Sequence, residues 1–329
     1  MESLDISDTS LERFPYLGRT QLKKVCAKGN RICNLWEEDM PATIEELDLE
    51  CNSIGDDGLL VEWPHTLKRL ILKDNPIYSL DTVDMWPRAL KHLDLSYTCL
   101  RDVLPILPDS IEFLNVSHTD LSNVFRLPAN CREFKADFTR IHRLPIAIPD
   151  DLKILSVTNS NLKGGGIPRS WGAALEELNF HGNFLRQFPK RLPANLRSLN
   201  LSYNLLDAIG PVPEGLQILH LGRNRIRQIP AWLLNRRSTL YTVQDNCLLE
   251  YPAGPNCLSS ESQWVGDLYH EAARRIQRRW IRLRIRPGLR AWRRQRIISE
   301  ELVAVAMSPE RVGLFAEVDA AWGLDRRLI

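Results

Sequence analysis

Several groups of side chains in this 329-residue chain are of types that could do chemistry. Asp94, His118 and a neighbouring serine are the parts of an acyl-transfer triad, in which an acid orients a histidine that takes the nucleophile's proton. No GxSxG nucleophile turn accompanies them, so no catalytic residue is nominated and the chain is read as a non-enzyme. Gly164, Gly165 and Gly166 lack the GK[ST] ending that a phosphate-cradling loop needs. Cys26, Cys33, Cys51, Cys99, Cys131, Cys247 and Cys257 form an odd set without CxxC or Cys/His clustering, which implies reduced thiols and neither a metal site nor a disulfide framework. No cofactor and no small-molecule substrate are expected. Two groups instead have the chemistry of binding. Glu46, Asp48 and Glu50 make an acidic patch, and His92, Tyr97, Phe113, His118 and Phe138 supply rigid rings beside polar groups, the composition of interface hot spots. Residues 271–296, EAARRIQRRWIRLRIRPGLRAWRRQR, carry eleven arginines and one acid, a composition suited to phosphates or an acidic partner.

The elements that must position these residues follow from a repeat. The frame L-x-x-L-x-L-x-x-N-x-L gives LKRLILKDNPI from Leu67, LEELNFHGNFL from Leu175, LRSLNLSYNLL from Leu196 and LQILHLGRNRI from Leu216. Looser copies start at 1, 22, 44, 90, 111, 131, 152 and 238, so twelve copies follow one another at steps of 20 to 23 residues. In each, the fourth and sixth positions are apolar between polar neighbours, the pattern of a short strand with one buried face. Lead-in phrases such as WPHTL, WPRAL, LPDSI and LPANL put a proline before each strand, which favours an extended return path over a helix.

Over residues 1–252 the chain resembles the leucine-rich repeat family, with the short period of the subclass known from secreted bacterial effectors. The resemblance implies an α/β repeat solenoid: a horseshoe with a concave parallel β-sheet and an extended, polyproline-like convex side. It also implies a protein-interaction scaffold that binds a protein partner on the concave face. The third, fifth, seventh and eighth positions of each copy should lie on that face, which is where the acidic patch and the aromatic and histidine group fall. The ninth position is Asn30, Asn52, Asn75, Asn183, Asn204, Asn224 or Asn246 in most copies but Thr98, Thr119, Thr139 and Ser160 in the middle. Shorter side chains make fewer bonds to the turn, so local differences in twist are expected there.

Residues 253–263 form a Pro, Gly and Ser linker, and 264–329 a basic tail. The tail's apolar residues recur at spacings of three and four as far as Pro287, which predicts a small α-helical C-terminal segment. Ile276 and Gln277 in this setting resemble an IQ motif, with Arg286 at its final position, Ile281 replacing the inner arginine and Arg282 the glycine. That resemblance implies calmodulin or another EF-hand protein as partner, and Ile276, Trp280 and Ile285 have a 1-5-10 anchor spacing suited to a groove. Arg275, Arg279, Arg282 and Arg286 could alternatively serve a polyanion, either nucleic acid or anionic membrane. Covering the end of the last repeat is a third role for the same helix. The phrase AARRIQRRWIRLRIRPG is similar to Arg-rich segments in proteins of large DNA viruses, which implies a viral origin.

The net charge of +2 divides unevenly between these parts: residues 259–329 hold 14 Arg against 9 acids, leaving 29 basic and 32 acidic residues before them. With no signal-like start and no run of 18 apolar residues, the expected location is intracellular and cytoplasmic, in a host cell if the source is viral.

Overall fold

The computed structural model describes residues 2–248 apart from 60, 61, 82, 84, 85 and 169. The strand positions of the repeat become strands three residues long. The first five copies give β1 (Ser3–Asp5), β2 (Lys24–Cys26), β3 (Glu46–Asp48), β4 (Arg69–Ile71) and β5 (His92–Asp94). The fifth copy adds β6 (Arg101–Val103) on its return path, and the sixth supplies β7 (Phe113–Asn115) and a second return-side strand, β8 (Asp120–Asn123). One strand per copy follows: β9 (Glu133–Lys135), β10 (Ile154–Ser156), β11 (Glu177–Asn179), β12 (Ser198–Asn200), β13 (Ile218–His220) and β14 (Leu240–Thr242).

Twelve of these form one parallel sheet in chain order, with β6 and β8 set apart as a two-stranded sheet. Register is unshifted from copy to copy: Leu47 faces Leu70, which faces Leu93, which faces Leu114. This alignment stacks the apolar positions into one continuous core. Within a single copy, Leu67, Leu70, Leu72 and Ile77 are all fully buried, against the same positions of the copies on either side. Each such leucine contributes roughly 1.5–3 kcal/mol relative to an exposed one, and only because its neighbours cover it.

The return side is extended, as the prolines dictate. Among the described residues it holds three 3-10 turns, at Glu37–Asp39, Asp56–Leu59 and Gly164–Gly166, and the single helical turn α1 (Ala231–Leu234). The glycine triplet has a packing cause: a Cβ on Gly166 would sit 2.1 Å from the His142 carbonyl oxygen, whereas Gly164 and Gly165 face open space.

The asparagine ladder joins neighbouring copies. Asn204 donates from Nδ2 to the Phe180 carbonyl of the preceding copy at 2.9 Å and to Leu201 of its own at 3.0 Å. Its Oδ1 accepts the Leu185 N–H at 3.0 Å. Thr119 makes one bond, from Oγ1 to Val116 in its own copy at 2.8 Å, and Thr139 makes the matching bond to Ala136 at 3.0 Å. Neither reaches the preceding copy. At those two junctions the return path pairs instead. β6 and β8 join the fifth copy to the sixth, while an Asn123 to Arg143 bridge and the His142 N–H donated to Ser122 join the sixth to the seventh. The Thr copies are thus marked by this second sheet, while the main sheet's register runs through unbroken.

The C-terminal helical segment expected from the sequence, with Ile276, Gln277, Trp280, Ile285, Arg275, Arg279, Arg282 and Arg286, lies outside the described residues.

Candidate functional site

From the second copy on, the fourth position of the strand is buried, so the third and fifth point away from the core, and the pattern continues to the seventh. The eighth position differs in backbone. It has positive φ in all twelve copies, at Asp8, Gly29, Cys51, Asp74, Tyr97, His118, Phe138, Asn159, Gly182, Tyr203, Arg223 and Asp245. The chain turns out of the strand there, through the left-handed region that glycine, asparagine and aspartate tolerate best. Tyr97, His118 and Phe138 place rings in that slot in three consecutive copies, with φ of 59°, 59° and 57°. Holding a bulky residue there costs about 1–2 kcal/mol relative to glycine.

The rings recover part of that cost by stacking. Tyr97 and His118 lie 4.0 Å apart at 10° between planes, and His118 and Phe138 4.6 Å apart at 18°. A second row forms at the third position, where His92 and Phe113 stack at 4.0 Å and 2°. Such pairs contribute roughly 0.5–1.5 kcal/mol each beyond burial. Lysines end or flank both rows: Lys73 Nζ lies 5.7 Å from the Tyr97 ring and Lys135 Nζ 5.5 Å from that of Phe113. All five ring residues singled out in the sequence are therefore brought together on copies five to seven, as two parallel rows with the fifth and seventh positions between them.

The fifth-position side chains mostly serve their own backbone. Asp48, Asp94, Asn115, Asn179 and Asn200 each accept the N–H two residues on, which fixes the strand exit. This makes Asp94 a structural acceptor: its Oδ1 takes both the N–H and the hydroxyl of Ser96.

Two of the three carboxylates of the acidic patch are paired where they stand. Glu46 pairs with Lys24 at 2.7 Å, and Glu50 with Lys28 and Lys73, both at 2.9 Å. Burial opposes ionisation of Glu50, but hydrogen bonds from Lys73 and Lys28 outweigh it and hold its carboxyl below the usual range. Asp48 is pushed the other way, by burial first. At His92, burial together with the nearby Arg69 lowers the pKa to about 4, so the ring that stacks on Phe113 is neutral at ordinary pH. Burial also raises the Cys131 thiol to about 12, which makes it inert packing.

A smaller ring cluster farther along escaped the sequence reading. His181 and Tyr203 lie 4.7 Å apart and tilted, with Arg223 over Tyr203 at 4.9 Å. The eighth-position column of the repeat contained the signal, since two of these three residues belong to it. No group of three or more His, Cys, Asp or Glu side chains able to hold a metal occurs among the described residues.

A leucine-rich repeat family model matches residues 41–61. The solenoid is similar to YopM from Yersinia enterocolitica, at 26% identity and a TM-score of 0.56 over 71% of this chain and 53% of that one. The described residues fold as a leucine-rich repeat solenoid. YopM from Yersinia pestis, described as a leucine-rich effector, matches 76% of it and 69% of its own length at 21% identity and a TM-score of 0.57. The leucine-rich repeat domain of APL1B shares the fold at 18% identity and a TM-score of 0.62, over 79% of this chain and 82% of that one. In sequence, the mouse oligodendrocyte-myelin glycoprotein is 31% identical over 154 residues. Those residues are 44% of this leucine-rich repeat chain and 34% of the glycoprotein, so the chain spans about a third of that relative's length.

Proposed function

We propose that the protein is a non-enzymatic scaffold that binds a protein partner on the sheet face of its solenoid, centred on copies five to seven. Leucine-rich repeat proteins in general present such faces to proteins. The observation that carries the reading here is the pair of ring rows, His92 with Phe113 and Tyr97 with His118 and Phe138. Three of those rings occupy, in consecutive copies, left-handed slots that six of the other nine copies fill with glycine, asparagine or aspartate. A backbone that disfavours rings and nevertheless has them in register is what a binding requirement would produce. The test replaces Tyr97, Phe113, His118 and Phe138 together by alanine and measures affinity for a captured partner, with circular dichroism to verify the fold. A loss of a hundredfold or more is expected, and unchanged affinity would sink the assignment.

Residues 271–296 motivate the second reading, in which the basic tail dominates and binds an EF-hand protein or a polyanion. Capture by the full chain beside a version ending at Ser262 assigns each partner to solenoid or tail. Salt separates the tail's own alternatives, since phosphate contacts weaken steeply with ionic strength and a groove-bound apolar helix weakens less. The free cysteines at Cys26, Cys33, Cys51, Cys99, Cys131 and Cys247 favour a reducing, cytoplasmic setting.

A further inference from the structure

The floor between the two ring rows carries two carboxylates that are oriented but uncompensated. Asp94 is pinned through Oδ1 by the Ser96 N–H at 2.9 Å and its hydroxyl at 2.6 Å, and its Oδ2 accepts only a 3.3 Å bond from Asn115. Asp137 is pinned through Oδ1 by the Ser156 hydroxyl and the Thr158 N–H, both at 2.7 Å, which leaves its Oδ2 open. Glu46, Glu50 and Glu133 on the same face each have a lysine within 3 Å, but no cation lies within ion-pair distance of Asp94 or Asp137 among the described residues. The nearby lysines are committed, Lys73 to Glu50 and Lys135 to Glu133. His92 is neutral, and Arg69 stands at the N-terminal end of the rows, where it would push a cationic ligand toward copies five to seven.

We infer that this channel takes a basic segment of a partner protein, whose arginine or lysine side chains reach Asp94 and Asp137 while its apolar residues lie along the ring rows. The inference rests on the scaffold reading and names the chemistry of its partner. A carboxylate already held through one oxygen offers the other without losing rotamer freedom, which is the preorganisation that makes charge-assisted hydrogen bonds effective. The spacing also constrains the ligand. Two copies along the sheet and two residues along the strand separate the carboxylates by about 12 Å, roughly three or four residues of extended chain. Five residues of strand, at most about 16 Å, separate the rows, enough for one segment to lie between them.

The experiment pans the full-length protein against a random twelve-residue peptide library and compares it with D94N/D137N and with the variant carrying alanine at Tyr97, Phe113, His118 and Phe138. Asn retains the Oδ1 acceptor, so D94N/D137N should fold. The expected result is enrichment of peptides with two Arg or Lys separated by two or three residues. A synthetic copy of the best should bind D94N/D137N at least tenfold more weakly, and the ring variant more weakly still. Neutral or acidic winners that require the rings but ignore D94N/D137N overturn the inference and leave the scaffold reading standing. Binding of a single-stranded oligonucleotide in place of peptides overturns it too. Enrichment that ignores the rings, or none at all, removes both.

Discussion

At the scale of single residues, the ring rows and the asparagine ladder make separable predictions. His92 has a folded pKa of about 4 against an unfolded value near 6.5, because burial and Arg69 oppose its charge. A depressed folded pKa leaves stability whole above the unfolded value and removes it as pH falls toward the folded one. The protein should therefore weaken between pH 6.5 and 4 by on the order of 1–2 kcal/mol from this group, discounted for its partial exposure. H92F retains a ring on Phe113 and should flatten that part of the profile. Urea midpoints at pH 7 and 4.5 check it, and an identical acid slope in H92F would contradict it. The ladder gives a contrast between positions nine. N204A removes bonds to Phe180 and Leu201 and orphans the Leu185 N–H, so a cost of about 2–4 kcal/mol is expected. T119A removes one bond and should cost about 1 kcal/mol.

At the scale of elements, the return path shows what a linear pattern can and cannot convey. The strands were legible because alternation at positions four and six is a local physical requirement, and the prolines were enough to imply an extended return side. The second sheet was not, because Arg101–Val103 and Asp120–Asn123 lack the alternation of a half-buried strand: Arg101, Asp102 and Val103 are all exposed. That sheet sits where Thr119 at position nine makes its bond within its own copy and not to the preceding one. The rings of the candidate site were legible by position, whereas their stacking was not, since it depends on the left-handed φ that aligns the eighth position across copies. The neutralisation of Glu46 and Glu50 was hidden for a similar reason. Their lysines lie about one copy away in sequence and become neighbours only through register. The glycine triplet supports a prediction of the same kind. G166A drives a Cβ into the His142 carbonyl and should cost about 1–3 kcal/mol, while G164A meets open space and should be close to neutral. Equal thermal shifts for the two would show that the return path yields freely.

At the scale of the whole solenoid, stability is a sum of copies and junctions, so a junction with fewer bonds is where opening should begin. The junctions before the sixth and seventh copies have exchanged the asparagine's inter-copy bonds for return-side pairing that lies at the surface. Surface backbone pairing is open to water, whereas the asparagine bonds are buried, so the exchange should leave these junctions weaker than that between Asn183 and Asn204. Restoring the ladder tests this directly. In T119N the new amide should donate to the Leu95 and Val116 carbonyls and accept the Leu100 N–H, as Asn204 does with Phe180, Leu201 and Leu185. A gain of about 1 kcal/mol is expected, with amide hydrogen exchange slowed in β5, β7 and β9 and unchanged in β12 and β13. The same substitution leaves Tyr97, His118 and Phe138 in place, so a stiffer junction that also alters partner affinity would mean that the rings bind through a face that must flex. Exchange in wild-type β7 as slow as in β12 would instead mean that stacked rings and the second sheet already compensate in full, and T119N would then add nothing.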